Sequence, residues 1–226
     1  TELDKAEEIF AKARTTPELG LHILKENGVF LGMGLACRDG DRVVSYCFLP
    51  QGFLTEAYLL EQAQMLCQEA AMVSSLDVKS MLRQMNLENH TKMFDAGIAA
   101  YLLNPLKSSY TYDDIAKEYL GEMLPAKEDL LGKLNYTKGM KEQEEQAALS
   151  VCYMAYVALK SREPLKKALE ETKMLHLFTD IEMPLLFTLS DMEKEGIRVN
   201  AQALKEYGDQ LYVRIQELEK EIAENL

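Results

Sequence analysis

Three strand-like segments follow one another within the first fifty residues, and this arrangement limits the fold more than any other feature. The segments cover residues 19–25, 29–38 and 42–50. In the first segment, apolar residues recur at every second position, which is the period of a β-strand. The sequence Asp39-Gly40-Asp41 between the other two predicts a tight hairpin turn. Three strands connected in this way predict an antiparallel meander, with His22 and Leu24 on one face of its first strand.

From Thr55 onward the apolar residues recur at the spacing of a helix rather than a strand. One helical stripe consists of Leu59, Leu60, Ala63, Leu66, Cys67 and Ala70. A lead-in helix is predicted over residues 2–14, and further helices over 77–85, 94–105, 112–121, 141–162, two segments between 164 and 196, and the stretch after Asn200. Residues 122–140 are predicted to form a loop. Strands followed by helices predict an α/β (α+β) fold, with a mixed sheet flanked by helices.

Several helix ends are marked by residues that start or stop helices. Asn104-Pro105 and Gly196 are predicted stops, and Gly121 is a predicted C-cap. Thr111, with Asp114 three residues later, resembles a capping box. Asn200 is a predicted N-cap of the last helix. In that helix, coiled-coil spacing is followed by Leu204, Leu211, Ile215, Leu218 and Ile222.

Charge and composition exclude several classes of protein. The chain has 25 basic and 37 acidic residues, a net charge of −12, so it repels phosphate and is not expected to grip DNA strongly alone. Four cysteines show no C-x-x-C spacing and predict reduced core thiols in a cytoplasmic protein. Three scattered histidines make a zinc site improbable. No signal peptide is evident, and no apolar run reaches the roughly 20 residues of a membrane span.

Two stretches resemble family A DNA polymerases of the bacterial DNA polymerase I type. The first comprises MFDAGIAAYLLNP at residues 93–105 and YDDIAKEYLG at residues 112–121, and it is similar to a segment of the family's 3′–5′ exonuclease domain. The second, DIEMPLLFTLSDMEKEGIRVN at residues 180–200, is close to the family segment where the exonuclease domain gives way to the polymerase thumb. The order and spacing of the two stretches also match the family.

The resemblance implies two domains and a larger parent enzyme. Residues 1–170 would form a ribonuclease H-like 3′–5′ exonuclease domain, and residues 171–226 the first helices of the thumb. The parent would be a Mg²⁺-dependent, DNA-directed DNA polymerase, a nucleotidyltransferase of replication and repair. Its fingers and palm are absent from this chain. DNA would therefore be a partner through the parent polymerase and the remaining polymerase domains, and only weakly or not at all through this fragment.

The resemblance also locates the metal site of proofreading family members, where four acidic groups hold two divalent ions. When this sequence is aligned with the family's motifs, the first two of these acidic positions correspond to His22 and Leu24. The third follows Lys79 and falls near Met81. The fourth lies on the long late helix, where the equivalents are Gln146 and Ser150. Because none of these residues is a carboxylate, the resemblance implies a vestigial site with no catalytic residue, no metal and no cofactor in this fragment.

Two other functions remain open from the sequence. An active nuclease could use relocated ligands, for which Asp77 is a candidate because it lies one helical turn before Met81. Alternatively, the groove that holds the metal ions in proofreading members, filled here by other side chains, could serve as a protein-interaction platform. Asp95 is predicted to be structural, capping the helix that follows it. Tyr110 and Tyr112 could stack on a nucleic-acid base, although packing within the domain is the favoured interpretation.

Overall fold

A computed structural model describes residues 2–87 and 90–224 of the chain. The described residues divide into two compact units, one ending at Ser190 and the other beginning at Asp191. The boundary predicted between residues 170 and 171 lies near the end of a long helix and stays a prediction. No helix in the described ranges is both long and apolar enough to cross a membrane. All four cysteines are free thiols.

The first unit contains a mixed five-stranded sheet. Its strands are β1 (Glu18–Glu26), β2 (Val29–Asp39), β3 (Arg42–Phe48), β4 (Met72–Ser75) and β5 (Met93–Asp95), in the spatial order β3-β2-β1-β4-β5. The predicted meander is confirmed, because β1, β2 and β3 pair antiparallel. Strands β4 and β5 were not predicted, and they extend the sheet parallel to β1. They have four and three residues and are almost entirely buried, so neither shows an alternating pattern.

Helices make up most of the remaining described chain. They are α1 (Glu2–Arg14), α2 (Glu56–Glu69), α3 (Val78–Leu82), α4 (Ala96–Leu103), α5 (Tyr112–Ile115), α6 (Lys127–Leu131), α7 (Tyr136–Glu142), α8 (Glu144–Glu171), α9 (Leu175–Leu177), α10 (Met183–Glu195) and α11 (Ala201–Glu224). Single π-helical turns follow α5 at Ala116–Leu120 and α9 at Phe178–Glu182, and a 3₁₀ turn covers His90–Lys92.

Two helix predictions were wrong. The predicted loop over residues 122–140 contains α6 and most of α7, which are too short to show an apolar stripe in sequence. The long helix α8 continues beyond residue 162 and passes through Pro164. Leu165 and Leu169, which follow that proline, are fully buried in the main core. Their burial offsets the backbone hydrogen bond that a proline inside a helix removes.

Most of the predicted helix caps are confirmed. The side chain of Asn200 accepts a hydrogen bond from the backbone N–H of Ala203 at 3.1 Å. Gly121 and Gly196 both have positive φ angles at helix ends, where residues with a Cβ are strained. The predicted capping box at Thr111 is wrong, because the Thr111 side chain makes no capping hydrogen bond.

The two faces of β1 have different roles. Leu19, Leu21 and Ile23 are buried in the same cluster as Phe10 of α1 and Leu59 of α2. The intervening residues, beginning with Gly20, lie on the face that α8 covers. The sheet is therefore flanked by helices, as the sequence predicted.

Helix α8 lies unusually close to the sheet because two glycines lie beneath it. A Cβ added at Gly34 would lie 2.6 Å from the carbonyl oxygen of Val151, and one added at Gly20 would overlap the carbonyl oxygen of Ala155. Gly34 pairs directly with His22 in the sheet register. The backbone of α8 thus rests on β1 and β2 beside the predicted site positions.

We expect Gly34→Ala to destabilise the protein by about 2 kcal/mol or more, because the added methyl group must push α8 away from the sheet. Urea unfolding followed by circular dichroism at the helix band measures this loss. The matched control is Gly208→Ala in α11, where an added Cβ meets no atom within 4 Å and should be neutral or slightly stabilising. Equal unfolding midpoints for Gly34→Ala and the unsubstituted protein would contradict the close-packing account.

Candidate functional site

A cleft of about 520 Å³ opens beside the second half of β1. Its walls are β1, the turn that follows β1, helix α3 and the first residue of α7. It is lined by His22, Ile23, Leu24, Lys25, Glu26, Asn27, Gly28, Asp77, Ser80, Arg83, Gln84 and Tyr136. The structure therefore brings two of the predicted site positions, His22 and Leu24, into one cleft.

The imidazole of His22 is held in its neutral form. Its removal from water lowers its pKa from 6.5 to about 4, and the nearby carboxylate of Asp77 opposes this shift only partly. A neutral imidazole offers one nitrogen lone pair and no negative charge. His22 therefore contributes no negative charge to the cleft.

Asp77 lines the cleft, but both of its carboxylate oxygens are engaged within α3. Oδ1 accepts a hydrogen bond from the backbone N–H of Ser80 at 2.9 Å, and Oδ2 accepts one from the Ser80 hydroxyl at 2.5 Å. Asp77 is thus the N-cap of α3, a position where a carboxylate stabilises the exposed N–H groups of the first turn.

Leu24 belongs to an apolar cluster that closes one side of the cleft. Its side chain is 6% exposed and lies in a buried cluster with Leu131 of α6, Tyr136 of α7, and Ala147 and Val151 of α8. We call these five residues the Leu24 cluster. It joins β1 to three helices by hydrophobic contact.

A buried hydrogen bond supports this cluster from the side of α8. The hydroxyl groups of Tyr136 and Ser150 lie 2.8 Å apart, and Ser150 is fully buried. The predicted site residue Ser150 therefore contacts the cleft through Tyr136. Gln146 is exposed, and the α8 residues that pack in the Leu24 cluster are Ala147 and Val151.

Met81 does not lie at the cleft. It is 1% exposed and packs in the main core of the first unit. The residues of α3 and its N-cap that line the cleft are instead Asp77, Ser80 and, just beyond the helix, Arg83 and Gln84. Neighbouring residues of a helix point in different directions around its axis, so Ser80 lines the cleft while the next residue, Met81, packs in the core.

Glu26 fixes α7 against the end of β1, and sequence reasoning missed it. Its carboxylate accepts hydrogen bonds from the backbone N–H of Tyr136 at 3.1 Å and of Thr137 at 2.9 Å, and from the Thr137 hydroxyl at 2.6 Å. Burial alone would raise the pKa of Glu26, but these hydrogen bonds outweigh burial and lower it. No local sequence pattern links residues that are 110 positions apart.

Asp95 has the structural role that was predicted for it. Its Oδ1 accepts a hydrogen bond from the backbone N–H of Ile98 at 2.9 Å, and its Oδ2 accepts one from Val78 at 2.7 Å. One carboxylate thus caps α4 and also holds the start of α3. Burial raises its pKa to about 7, although the backbone hydrogen bonds act in the opposite direction.

Tyr110 and Tyr112 pack within the domain, as the favoured interpretation held. Tyr112 is 3% exposed, and its hydroxyl donates a hydrogen bond to the carbonyl oxygen of Pro125 at 2.7 Å. The hydroxyl of Tyr110 donates to the carbonyl oxygen of Asn104. The Tyr110 ring also packs edge-on against the ring of Tyr101, with 5.9 Å between the centroids.

The residues at the cleft do not fit a pair of magnesium ions. Mg²⁺ prefers hard oxygen ligands in octahedral geometry, above all carboxylates. The cleft offers instead an imidazole, an isobutyl group and two carboxylates that already accept hydrogen bonds from the protein. Across residues 2–87 and 90–224, no group of three or more His, Cys, Asp or Glu side chains is placed to hold a metal ion.

Comparisons with known proteins agree with this fold. No family model matches the chain. It is 33% identical over 146 residues to DNA polymerase I of Bacillus subtilis, and 29% identical over 143 residues to that of Geobacillus stearothermophilus; each alignment covers 63% of this chain and 16% of the relative. It is 37% identical over 97 residues to DNA polymerase I of Chloroflexus aurantiacus, covering 42% of this chain and 10% of the relative. The chain therefore matches only a small part of these relatives.

A solved structure has the same fold. The polymerase domain of Pol1 from M. smegmatis, in complex with DNA primer-template and dNTP, superimposes with a TM-score of 0.65 at 20% identity, over 93% of this chain and 34% of that one. The fold is that of the solved polymerase structure. In sequence, the chain is similar to a short segment of family A DNA polymerases, the bacterial DNA polymerase I type.

We expect the His22 ring to titrate with a pKa of about 4 in the folded protein, measurable from its ring-proton chemical shifts by NMR. Between about pH 4 and the ordinary histidine pKa of about 6.5, the unfolded chain then binds more protons than the folded chain. The free energy of unfolding attributable to this residue therefore falls as the pH is lowered through that range.

His22→Gln should lack this part of the pH dependence. The control is His176→Gln, since the His176 side chain is 82% exposed and lies outside the cleft. This variant should keep the part of the pH dependence of the free energy of unfolding that His22 contributes. Titration of the His22 ring at its ordinary pKa would show that the cleft is more hydrated than the structure indicates.

Proposed function

We propose that this chain is a catalytically inactive 3′–5′ exonuclease-like domain together with the start of a polymerase thumb. Residues 1–170 would form the vestigial domain, with former metal positions at His22 and Leu24 in the cleft and at Ser150 behind Tyr136, and residues 171–226 the first thumb helices. Met81 packs in the main core and is not among these positions. The observation that supports this proposal most strongly is the Leu24 cluster, in which a residue at an expected metal-ligand position packs among apolar side chains.

The chemistry of phosphodiester hydrolysis gives the physical reason for inactivity. Two-metal nucleases use the ions to generate a hydroxide and to stabilise the attacking and leaving oxygens. Without carboxylates at these positions, neither ion has a site with the preferred ligands. The residues that remain can pack and form hydrogen bonds, but they cannot stabilise the negative charge that develops on the leaving oxygen.

The role that remains for such a domain is architectural. It would support a DNA-directed DNA polymerase and set the orientation of the polymerase domain. The relatives named above are DNA polymerase I proteins, and the parent enzyme would accordingly use Mg²⁺, act on DNA in replication and repair, and work in the cytoplasm. With a net charge of −12, the fragment itself would add little to DNA affinity.

The rival function, an active nuclease with relocated ligands, is disfavoured by the bonding of the available carboxylates. Asp77 caps α3 with both oxygens, and Glu26 accepts three hydrogen bonds from α7. These hydrogen bonds fix the orientation of each carboxylate at a helix start, and two carboxylates alone fall short of the oxygen ligands that a pair of Mg²⁺ ions requires.

The test is an exonuclease assay on a 5′-labelled single-stranded oligonucleotide with Mg²⁺ or Mn²⁺. We expect no shortening beyond that seen with chelator, because no pair of metal ions can assemble. The matched variants are Asp77→Asn and Leu24→Arg, both expected to be indistinguishable from the unsubstituted chain. Metal-dependent shortening that Asp77→Asn abolishes would establish the rival function instead.

A further inference from the structure

A second cavity, of about 440 Å³, lies in the first unit between α8 and the β4–β5 edge of the sheet. None of its lining residues is shared with the cleft beside β1. Its interior is apolar and includes Met93, Phe94, Phe178 and Met183, which are at most 5% exposed as whole residues. Cavities of this size and composition are typical of small-molecule sites.

One wall of the cavity is the π-helical turn Phe178–Glu182, which supplies Phe178, Thr179 and Asp180 to the lining. A π-turn widens a helix by one residue at a cost in hydrogen-bond geometry, and such turns occur frequently at functional sites. Here the turn places an aromatic ring toward the cavity beside the ring of Phe94, with 5.0 Å between the ring centroids.

Two cationic side chains lie at the rim, one helical turn apart on α8. Arg162 is only 12% exposed, and its Nη1 lies in two ion pairs, with the carboxylate of Glu18 at 2.7 Å and with that of Glu163 at 2.5 Å. Lys166 is 43% exposed and lies 3.9 Å from Glu170, too far for a hydrogen bond. The ammonium group of Lys166 can therefore turn toward a ligand without breaking a hydrogen bond to that carboxylate.

One carboxylate, that of Asp180, also lines the cavity. Asp180 accepts a hydrogen bond from the Thr179 hydroxyl at 2.6 Å and lies 3.0 Å from Nε2 of His176. Both of its carboxylate oxygens therefore have partners within its own helical segment. The rim thus presents a cation above an apolar interior, the arrangement that suits an apolar body with one anionic group.

We propose that this cavity binds a small amphipathic anion. An aromatic or aliphatic body lies against Phe94, Phe178 and Met183, and a carboxylate or similar anionic group pairs with Lys166. Arg162, whose charge is compensated by Glu18 and Glu163, lines the cavity one helical turn before Lys166 and supplies no further net charge. The site is independent of the vestigial cleft, so it stands whether or not the chain degrades DNA.

The probe is 2-naphthoate, compared with the uncharged 2-naphthalenemethanol. For a ligand of this size, the usual binding energy per atom gives a Kd on the order of 1 mM. In protein labelled with ¹³C at the methionine methyl groups, 2-naphthoate should shift the signals of Met72, Met93 and Met183, which line the cavity. The signals of Met33 in the sheet and Met140 beside the Leu24 cluster should stay unchanged.

Lys166→Gln should weaken 2-naphthoate binding by up to about fivefold, the upper end of the range for a partly exposed ion pair, and leave binding of the uncharged analogue unchanged. Lys167→Gln is the matched control, because that side chain is 76% exposed and does not line the cavity. Thr179→Phe, which fills the cavity from an exposed position, should abolish the three shifts.

Three results would overturn the proposal. The first is no shift of the three methionine signals at concentrations about tenfold above the expected Kd. The second is an equal affinity of Lys166→Gln and Lys167→Gln for 2-naphthoate. The third is binding of the uncharged analogue as tight as that of the anion, which would show that the rim charge plays no part.

Discussion

The close contact between α8 and the sheet is the constraint on which the rest of the first unit depends. Gly20 and Gly34 leave no side chain between the strands and the carbonyl oxygens of α8. The helix therefore runs directly over β1, and its first turns bring Ala147 and Val151 against Leu24. Further along, the same helix carries Arg162 and Lys166 to the second cavity. One packing contact thus positions both candidate sites.

Carboxylates near the cleft serve the backbone rather than a metal. Asp77 caps α3, Asp95 joins the starts of α3 and α4, and Glu26 holds the start of α7. In each case the carboxylate accepts hydrogen bonds from backbone N–H groups that have no partner within their own helix, at a helix start where an acidic side chain is favourable. Charged residues of this kind resemble catalytic groups in a sequence, and only their partners reveal that they stabilise the fold.

Much of the fold could be predicted from sequence, for reasons that are local. The three antiparallel strands alternate in polarity or are joined by a marked turn, and Thr55, Gly121 and Asn200 mark helix ends through their own backbone or side-chain chemistry. Strands β4 and β5 could not be predicted, because short buried parallel strands lack alternation. The partners of Glu26 and the packing of Leu24 join distant segments, and residue spacing holds no information about such contacts. On α3 and α8 the resemblance gave the helix, but only the structure showed that Met81 faces the core and that Ala147 and Val151 face Leu24.

The central claim is that the cleft beside β1 has lost its capacity to bind metal ions, and diffraction from crystals soaked in Mn²⁺ tests it most directly. Manganese scatters anomalously and takes the same oxygen ligands as magnesium. The account predicts no anomalous peak within bonding distance, about 2.1 Å, of any side chain from β1, α3 or α8. Two peaks seated between His22, Asp77 and the start of α8 would contradict it.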